Sequence, residues 1–222
     1  MHRSVGNVDT HDVEIVVGAG STQLNAAAVH ALASRAAAAA ERAAPAQVWA
    51  AVPYYGAYKV STDFAHSRLY EWAAGGQPEA NATHSVIEFV TSPNNPDGSL
   101  RTPTVPGAAV VYDSAYYWPH YVPITEARSP QGSDVLVFTL SKLTGHAGTR
   151  IGWAVVRDAD IAAAMRQYLA TTMLHVPRES QDRAYTLLTH VVHSQVRERP
   201  LRKRRCGLWV APPRPTGRSD PH

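Results

Sequence analysis

The sequence predicts an α/β fold built on a largely parallel sheet. Short apolar segments of strand length alternate along the chain with longer segments of helical character, and this alternation is typical of parallel strands joined by crossover helices. Polar residues follow the ends of several apolar segments, which is where ligands bind in such sheets. With 222 residues, of which 45% are hydrophobic, the chain is long enough to enclose one sizeable core.

A glycine-containing turn separates the first predicted strand from the first predicted helix. The strand is VEIVV at residues 13–17, and the helix, over 22–42, contains a run of alanines that favours helix formation. Between them lies GAGST, in which Ser21 is a favourable N-cap. Free N–H groups at a helix N-terminus suit a phosphate group, but an ordinary capped helix explains the same residues. The turn is neither a Walker loop nor a complete GxGxxG motif.

Five further apolar segments predict the remaining strands, and two helices follow them. VIEFVT precedes the dense turn signal SPNNPDG, AAVVYD ends in Asp113, and VLVFTL leads into Ser141 and Lys142. The second helix has Pro177 near its start and acids in its first turn. The predicted strands are QVWAAV at 47–52, VIEFVT at 86–91, AAVVYD at 108–113, VLVFTL at 135–140 and IGWAVV at 151–156, and the helices cover 158–174 and 177–196.

The composition excludes several functional classes. Eight Lys or Arg and two acids fall within residues 197–222, so most of the positive charge lies in that segment and residues 1–196 are mildly acidic, despite the net charge of +3. The charge therefore predicts no nucleic-acid-binding surface on residues 1–196. No apolar run is long enough to span a membrane, and residues 1–18 lack the features of a secretory signal. The single cysteine, Cys206, excludes an intramolecular disulfide framework. His190 and His193 lack further clustered ligands, so no metal site is predicted.

Residues 197–222 differ in composition from the rest of the chain. They are rich in Arg and Pro and show neither helical nor strand periodicity, which predicts a disordered basic tail after a domain over 1–196. A nuclear-localisation or RNA-binding segment is one interpretation of this tail. We favour the other interpretation, an altered splice product.

Four features at predicted strand ends suggest one cofactor. Lys142 can form a Schiff base with an aldehyde, and Asp113 can hold a pyridinium nitrogen protonated. Arg150 and the helix N-terminus at Ser21 can hold a phosphate dianion. Each feature alone has an ordinary structural explanation. Together in one α/β chain they favour a site for pyridoxal 5′-phosphate.

Three motifs, in this order, resemble the plant alliinase/tryptophan aminotransferase-related family. They are VTSPNNPDG at 90–98, YDSAYYWPHY at 112–121 and FTLSKLTGHAGTRIGWAVV at 138–156. The resemblance extends over about 13–196. It implies the fold of the fold-type-I pyridoxal-phosphate-dependent enzymes, a three-layer α/β/α large domain, and a homodimer with active sites near the subunit interface.

The resemblance also implies a role for each candidate site residue. Lys142 matches the catalytic lysine that binds the cofactor aldehyde and later acts as general acid and base. Asp113 matches the carboxylate at the pyridine nitrogen. The other implied cofactor-binding residues are Tyr116 and Asn95 at the ring hydroxyl, Arg150, Thr139 and the turn of Gly20, Ser21 and Thr22 at the phosphate, Ser141 beside the lysine, and Tyr55 stacked on the ring, with Tyr54 as the alternative.

The function implied by the resemblance is transfer of an amino group from an L-amino acid to a keto acid. The lysine motif looks more like the tryptophan aminotransferase branch, whose product is the auxin precursor indole-3-pyruvate. The alternatives are an alliinase-type carbon–sulfur lyase and a catalytically impaired fragment that pairs with a full-length paralogue. The chain departs from the family pattern at both ends, so we expect a truncated large domain without the arginine that binds the substrate carboxylate. We expect a cytoplasmic protein without a membrane segment.

Overall fold

The computed structural model describes residues 1–39, 44–81, 85–129 and 134–197. The predicted tail therefore lies outside the described residues, apart from Arg197, which is the last residue of the final helix. The division of the chain after residue 196 stays a prediction. In the part of the chain that the structure describes, no helix is long and apolar enough to cross a membrane.

In the residues that the structure describes there are seven strands and six helices, and the six predicted strands and three predicted helices are among them. A 3₁₀ turn at Ala147–Thr149 lies between the fourth helix and the last strand. The strands are β1 Glu14–Gly18, β2 Ala46–Ala50, β3 Tyr70–Trp72, β4 Val86–Thr91, β5 Ala109–Asp113, β6 Val135–Thr139 and β7 Gly152–Val156, and the helices are α1 His2–Val5, α2 Ser21–Ala39, α3 Ala57–Ala65, α4 Leu140–Leu143, α5 Ala159–Met173 and α6 Arg178–Arg197.

All seven strands form one sheet in the order β1-β7-β6-β5-β4-β2-β3. Only β7 runs against its neighbours, so β1 is parallel to β6 even though the two do not pair. The carboxyl ends of β1, β4, β5 and β6 therefore lie at the same edge of the sheet. The register shows this directly, because Gly18 and Thr139 both lie opposite Gly152. The prediction of a largely parallel sheet is confirmed.

Two apolar layers cover the two faces of the sheet. On one face, α2 and α5 pack over the strands through fully buried residues such as Leu24, Leu32 and Met165. On the other face, Trp118, Phe138 and other residues form a second cluster, and α1 packs beside α6. The central strands β4, β6 and β7 are buried along their whole length, as expected for strands covered on both sides.

The structure corrects three local predictions. Helix α2 begins at Ser21, so Gly20 precedes the first helical residue and Ser21 is not the N-cap. Lys142 lies on the one-turn helix α4 and not at the end of a strand. The elements α1, α3, α4 and β3 have no counterpart in the prediction, because each is short.

Candidate active site

One cavity at the carboxyl edge of the sheet collects nearly all the predicted site residues. It has a volume of about 390 Å³ and is enclosed by α2, α4, the loops after β2, β4 and β5, and the 3₁₀ turn. Gly20 does not line the cavity but lies against the guanidinium of Arg150. The predicted residues that line it are Ser21, Thr22, Tyr55, Asn95, Asp113, Tyr116, Thr139, Ser141, Lys142 and Arg150. Their individual roles towards a cofactor stay predictions.

Arg150 and the N-terminus of α2 form a positively charged corner of the cavity. The guanidinium donates to the carbonyl oxygen of Ala147 at 3.1 Å and to that of Ala19 at 3.3 Å. No carboxylate lies within ion-pair distance of it in the described ranges of the chain. A guanidinium beside free helix N–H groups, without an anion of its own, suits a phosphate dianion.

Two glycines allow this corner to form. Gly20 has φ +83°, and a Cβ on it would lie 2.4 Å from Nη2 of Arg150. A Cβ on Gly152 would lie 2.7 Å from the carbonyl oxygen of Phe138 and 3.0 Å from the amide nitrogen of Ser21. The start of β7 therefore touches the N-terminus of α2 backbone to backbone, which only glycine permits.

Asp113 lies at the end of β5 with its carboxylate buried at the base of the cavity. Oδ2 accepts hydrogen bonds from the Tyr58 hydroxyl at 2.8 Å and the Asn25 amide at 3.2 Å, and Oδ1 accepts one from the N–H of Ala115 at 3.1 Å. Burial raises the pKa of Asp113, and these three donors, with the charge of Lys142, oppose that rise. A positively charged group in the cavity would further stabilise the ionised form of this buried carboxylate.

Lys142 reaches the cavity from α4, which Thr139 caps. The hydroxyl of Thr139 accepts a hydrogen bond from the N–H of Ser141 and donates to the carbonyl of Ile151. Lys142 Nζ lies over the ring of Tyr116, 5.4 Å from its centroid. The Tyr121 hydroxyl donates to the Lys142 carbonyl at 3.1 Å, which satisfies one free carbonyl of the short helix.

The loops after β2 and β4 supply the remaining wall, and Arg101 joins them. Its guanidinium donates to the carbonyls of Ala51 and Pro53, each at 2.9 Å. Tyr55, on the first loop, is half exposed and lines the cavity. Tyr54 also lines it but packs on Trp72 with a centroid distance of 5.1 Å. Both tyrosines therefore remain candidates to face a planar ring.

Sequence reasoning missed the residues behind Asp113. Tyr58 and Asn25 lie 55 and 88 positions away from it along the chain, so no local motif links them. The available signals were Asn25, a polar residue among the buried apolar residues of the alanine-rich helix, and a third tyrosine, Tyr58, after PYYGA. Arg101, which joins the loops that carry Tyr55 and Asn95, was also missed.

The chemistry of this donor set fits pyridoxal phosphate. A primary amine, a buried carboxylate and an unpaired guanidinium at a helix N-terminus match an aldehyde, a basic ring nitrogen and a phosphate, respectively. The cavity of about 390 Å³, with Tyr54, Tyr55 and Tyr116 in its wall, leaves room for a flat ring. Lys142, Asp113 and Arg150 would hold the group.

Several solved aminotransferase structures share this fold. Aspartate aminotransferase from Thermus thermophilus aligns with a TM-score of 0.63 at 19% identity, covering 88% of this chain and 55% of that one. An aminotransferase from Staphylococcus aureus aligns with a TM-score of 0.61 at 18% identity, covering 88% and 56%. The chain therefore has the fold of the fold-type-I proteins, and relatives with this fold depend on pyridoxal phosphate.

Sequence comparison then identifies the family. The family described as allinase matches residues 1–203, and the chain belongs to it. Tryptophan aminotransferase-related protein 2 of Oryza sativa subsp. japonica is 46% identical over 195 residues, covering 86% of this chain and 37% of that protein. Alliin lyase 1 of Allium sativum is 37% identical over 194 residues, covering 86% and 39%. The chain spans about two-fifths of the length of these relatives.

Proposed function

We propose that this chain carries the cofactor-binding part of a pyridoxal-phosphate-dependent aminotransferase. The proposed donor is L-tryptophan, the product indole-3-pyruvate and the acceptor a keto acid, so that the enzyme would serve auxin biosynthesis. The observation that carries the proposal is the meeting of Lys142, Asp113 and Arg150 in one cavity. These three side chains come from separate elements, and each presents the group that a different part of the cofactor requires.

The side chains of the cavity have distinct tasks in this reaction. When bound, the cofactor supplies an aldehyde for the substrate amine and a ring that accepts electrons. Arg150 and the N-terminus of α2 bind the phosphate and so fix the position of the ring. Asp113 holds a positive charge at the ring nitrogen. Lys142 accepts the α-proton of the substrate at Nζ and returns a proton, as a general acid and base positioned beside Tyr116.

The relatives favour amino-group transfer over carbon–sulfur cleavage. The tryptophan aminotransferase-related proteins of Oryza sativa subsp. japonica and Arabidopsis thaliana are 46% and 44% identical to this chain, whereas the alliin lyases of Allium sativum are 37% identical. The difference is modest, so the lyase reaction remains the second candidate. The two reactions give different products from different substrates and can be assayed separately.

Chemical trapping tests the cofactor site. Purified protein is incubated with pyridoxal phosphate, reduced with borohydride and mapped by peptide mass spectrometry. The chain contains three lysines, and we expect the adduct on Lys142 and not on Lys59 or Lys203. Lys59 already pairs with Asp63 on α3, which makes it a suitable internal control. An adduct on either of the other lysines would contradict the site.

Product analysis tests the reaction. The chain is assayed with L-tryptophan and pyruvate for indole-3-pyruvate, and with an S-alkyl cysteine sulfoxide for pyruvate release. Transamination without lyase activity supports the proposal, and the reverse result favours the second candidate. If the chain binds the cofactor but catalyses neither reaction, the third alternative is favoured, a cofactor-binding fragment that pairs with a full-length paralogue.

We also propose that the chain forms a homodimer through the surface around α3. Val60 and Phe64 lie one turn apart on this helix and are 66% and 83% exposed. Tyr55 is 51% exposed beside them and also lines the cavity, so the apolar surface continues into the site. Phe64→Ser should shift the protein from dimer to monomer in sedimentation experiments. A monomeric wild-type chain at micromolar concentration would contradict this proposal.

A further inference from the structure

Behind Asp113 lies a buried tyrosine, Tyr58, which does not line the cavity but connects Asp113 to Thr91. Tyr58 is 2% exposed, and its hydroxyl donates to Oδ2 of Asp113 at 2.8 Å. The same hydroxyl lies 2.8 Å from Oγ1 of Thr91, the last residue of β4. Because a phenol has one proton and that proton points to Asp113, Thr91 must be the donor to Tyr58. The hydrogen bonds therefore run from Thr91 to Tyr58 to Asp113.

The position of the Tyr58 hydroxyl is fixed by the packing of its ring. The ring stacks on Phe89 of β4 with a centroid distance of 4.1 Å and an interplanar angle of 3°. Tyr55 contacts it edge-on at 5.5 Å. The backbone carbonyl of Tyr58 accepts a hydrogen bond from the hydroxyl of Thr62 at 2.8 Å, one turn further along α3. A ring held by Phe89 and Tyr55, on a backbone anchored by Thr62, can aim its hydroxyl at one acceptor.

The hydrogen bonds to Asp113 are unevenly divided between its two oxygens. In the described part of the chain, Oδ2 accepts from both Tyr58 and Asn25, which uses its two lone pairs. Oδ1 accepts only from the N–H of Ala115. One lone pair on Oδ1 is therefore left for a donor in the cavity that Asp113 lines.

We propose that Tyr58 is a positioning residue that keeps Asp113 ionised and presents Oδ1 to the ring nitrogen of pyridoxal phosphate. This inference rests on the proposed cofactor site. A fully buried carboxylate needs donors to stay charged, and a hydrogen bond to a charged group is about twice as strong as a neutral one. Loss of the Tyr58 hydroxyl removes one of three donors and also leaves the hydroxyl of Thr91 without its acceptor.

A matched pair of ligands separates this role from a general structural one. Pyridoxal phosphate and its 1-deaza analogue, in which carbon replaces the ring nitrogen, are titrated into wild type and Tyr58→Phe. We expect the variant to bind pyridoxal phosphate about tenfold more weakly, in line with the loss of one charge-assisted hydrogen bond, and to bind the analogue unchanged. Equal weakening for both ligands, or none for either, would overturn the proposal.

Tyr70→Phe is the control variant. Tyr70 is 5% exposed and its hydroxyl bonds Ser67. It is thus a buried phenol on the same side of the sheet without contact to Asp113. We expect the ratio of its affinity for pyridoxal phosphate to its affinity for the 1-deaza analogue to match the ratio for wild type. A ratio altered as much as in Tyr58→Phe would show that any buried hydroxyl has this effect, and would overturn the assignment to Tyr58.

A second measurement needs no cofactor. The carboxyl carbon of Asp113 is observed by ¹³C NMR in the cofactor-free protein and identified by its loss in Asp113→Asn. We expect a higher pKa for this group in Tyr58→Phe than in wild type or Tyr70→Phe, and a smaller rise in Thr91→Val. An unchanged pKa in Tyr58→Phe and in Thr91→Val would overturn the proposal. If wild type fails to bind pyridoxal phosphate, the cofactor site is wrong, and this titration still decides the effect of Tyr58 on Asp113.

Discussion

The charge of Arg150 is held in place by backbone atoms and not by another charge. Its guanidinium rests on the carbonyls of Ala19 and Ala147, and its own φ of +50° lies in the left-handed region. Such a conformation costs free energy for a residue with a side chain. The surrounding turn therefore places the guanidinium beside the N-terminus of α2 at some cost to stability, a compromise typical of binding sites.

Arg150→Ala should weaken cofactor binding through the phosphate alone. A charge-assisted hydrogen bond is worth about 1.5–3 kcal/mol, so we expect about a 10- to 150-fold loss of affinity for pyridoxal phosphate. Pyridoxal, which has no phosphate, should bind wild type and variant equally well. Equilibrium titration with both ligands measures the difference. Equal losses for the two ligands would show that Arg150 supports the fold and not the phosphate.

Gly20→Ala should reproduce part of this effect without removing any charge. The new Cβ would meet Nη2 of Arg150 at 2.4 Å, and φ +83° disfavours any residue with a side chain. The guanidinium must move, so we expect weaker binding of pyridoxal phosphate and little change for pyridoxal. Gly148→Ala, where no atom lies within 4 Å of the new Cβ, is the control in the same titration.

At the level of single residues, the sequence revealed the groups that have a chemical signature of their own. Lys142 and Asp113 lie at the ends of apolar segments, Arg150 directly precedes one, and each carries a charge that such a position seldom needs. Tyr58 and Asn25 have no such signature, because their partner is reached only when α2 and α3 pack on the sheet. Supporting residues of this kind depend on tertiary structure and cannot be read from local sequence.

At the level of elements, most strands were predicted from the sequence, but the antiparallel direction of β7 was not. The segment 151–156 is as apolar as its parallel neighbours, since β7 is buried along its length like β4 and β6. Nothing in its composition shows that it runs antiparallel. The connection from β6 to β7, residues 140–151, is near the shortest length that a parallel crossover can have, so it permits the antiparallel return without requiring it. The elements α3 and β3 were missed because they are short, with nine and three residues.

The contact between β7 and α2 predicts a strong effect of Gly152→Ala on stability. The added Cβ meets the Phe138 carbonyl at 2.7 Å and the Ser21 amide at 3.0 Å, and backbone atoms in a sheet and a helix cannot move aside. Overpacking of this kind costs about 1–3 kcal/mol. Urea unfolding should show a lower unfolding free energy for Gly152→Ala than for wild type, and an almost unchanged one for Gly148→Ala. If Gly152→Ala has the same urea midpoint as wild type, β7 and α2 do not approach each other as closely as described.

Arg101 predicts a coupling between the loops after β2 and β4. Its guanidinium donates to three carbonyls of the first loop, at Ala51, Val52 and Pro53, and its N–H donates to the hydroxyl of Ser92 on the second. Arg101→Ala should raise amide hydrogen exchange in both loops together, and Arg101→Lys should do so less. The lysine keeps the charge but cannot donate to several carbonyls at once. Exchange that rises in only one loop would contradict the coupling.

At the scale of the whole molecule, residues near the start of the chain close one face of the sheet. The imidazole of His2 lies among Trp118, Phe138 and Trp153, with ring centroids 4.6–5.8 Å away. Asn7 donates from its side chain to the carbonyl of Tyr117. This packing could not be predicted from local sequence, because the residues in contact are separated by more than a hundred positions. A single histidine in a short polar segment would ordinarily be assigned to the surface.

Burial of His2 predicts how the stability of the whole molecule depends on pH. Nε2 accepts a hydrogen bond from the Trp153 indole at 2.8 Å, and Nδ1 lies 2.8 Å from Oδ1 of Asn7, so the folded state requires the neutral ring. Burial, the largest cause, lowers the pKa of His2 from 6.5 to about 4, and the charged N-terminus contributes in the same direction. The unfolded chain therefore binds this proton more tightly than the folded protein does.

The stability contributed by the neutral ring is then fully present above about pH 6.5 and is lost as the pH falls towards 4. The full loss amounts to about 3 kcal/mol for a pKa difference of this size.

Unfolding free energies of wild type should fall between pH 7 and pH 4.5 more steeply than those of His2→Gln, whose side chain does not titrate. Carboxylates that titrate in the same range are common to both proteins and cancel in the comparison. His146→Gln, which makes the same substitution at an exposed imidazole, is the matched control variant. Parallel slopes for wild type and His2→Gln would show that the imidazole is not buried in solution and that the second face of the sheet is open there.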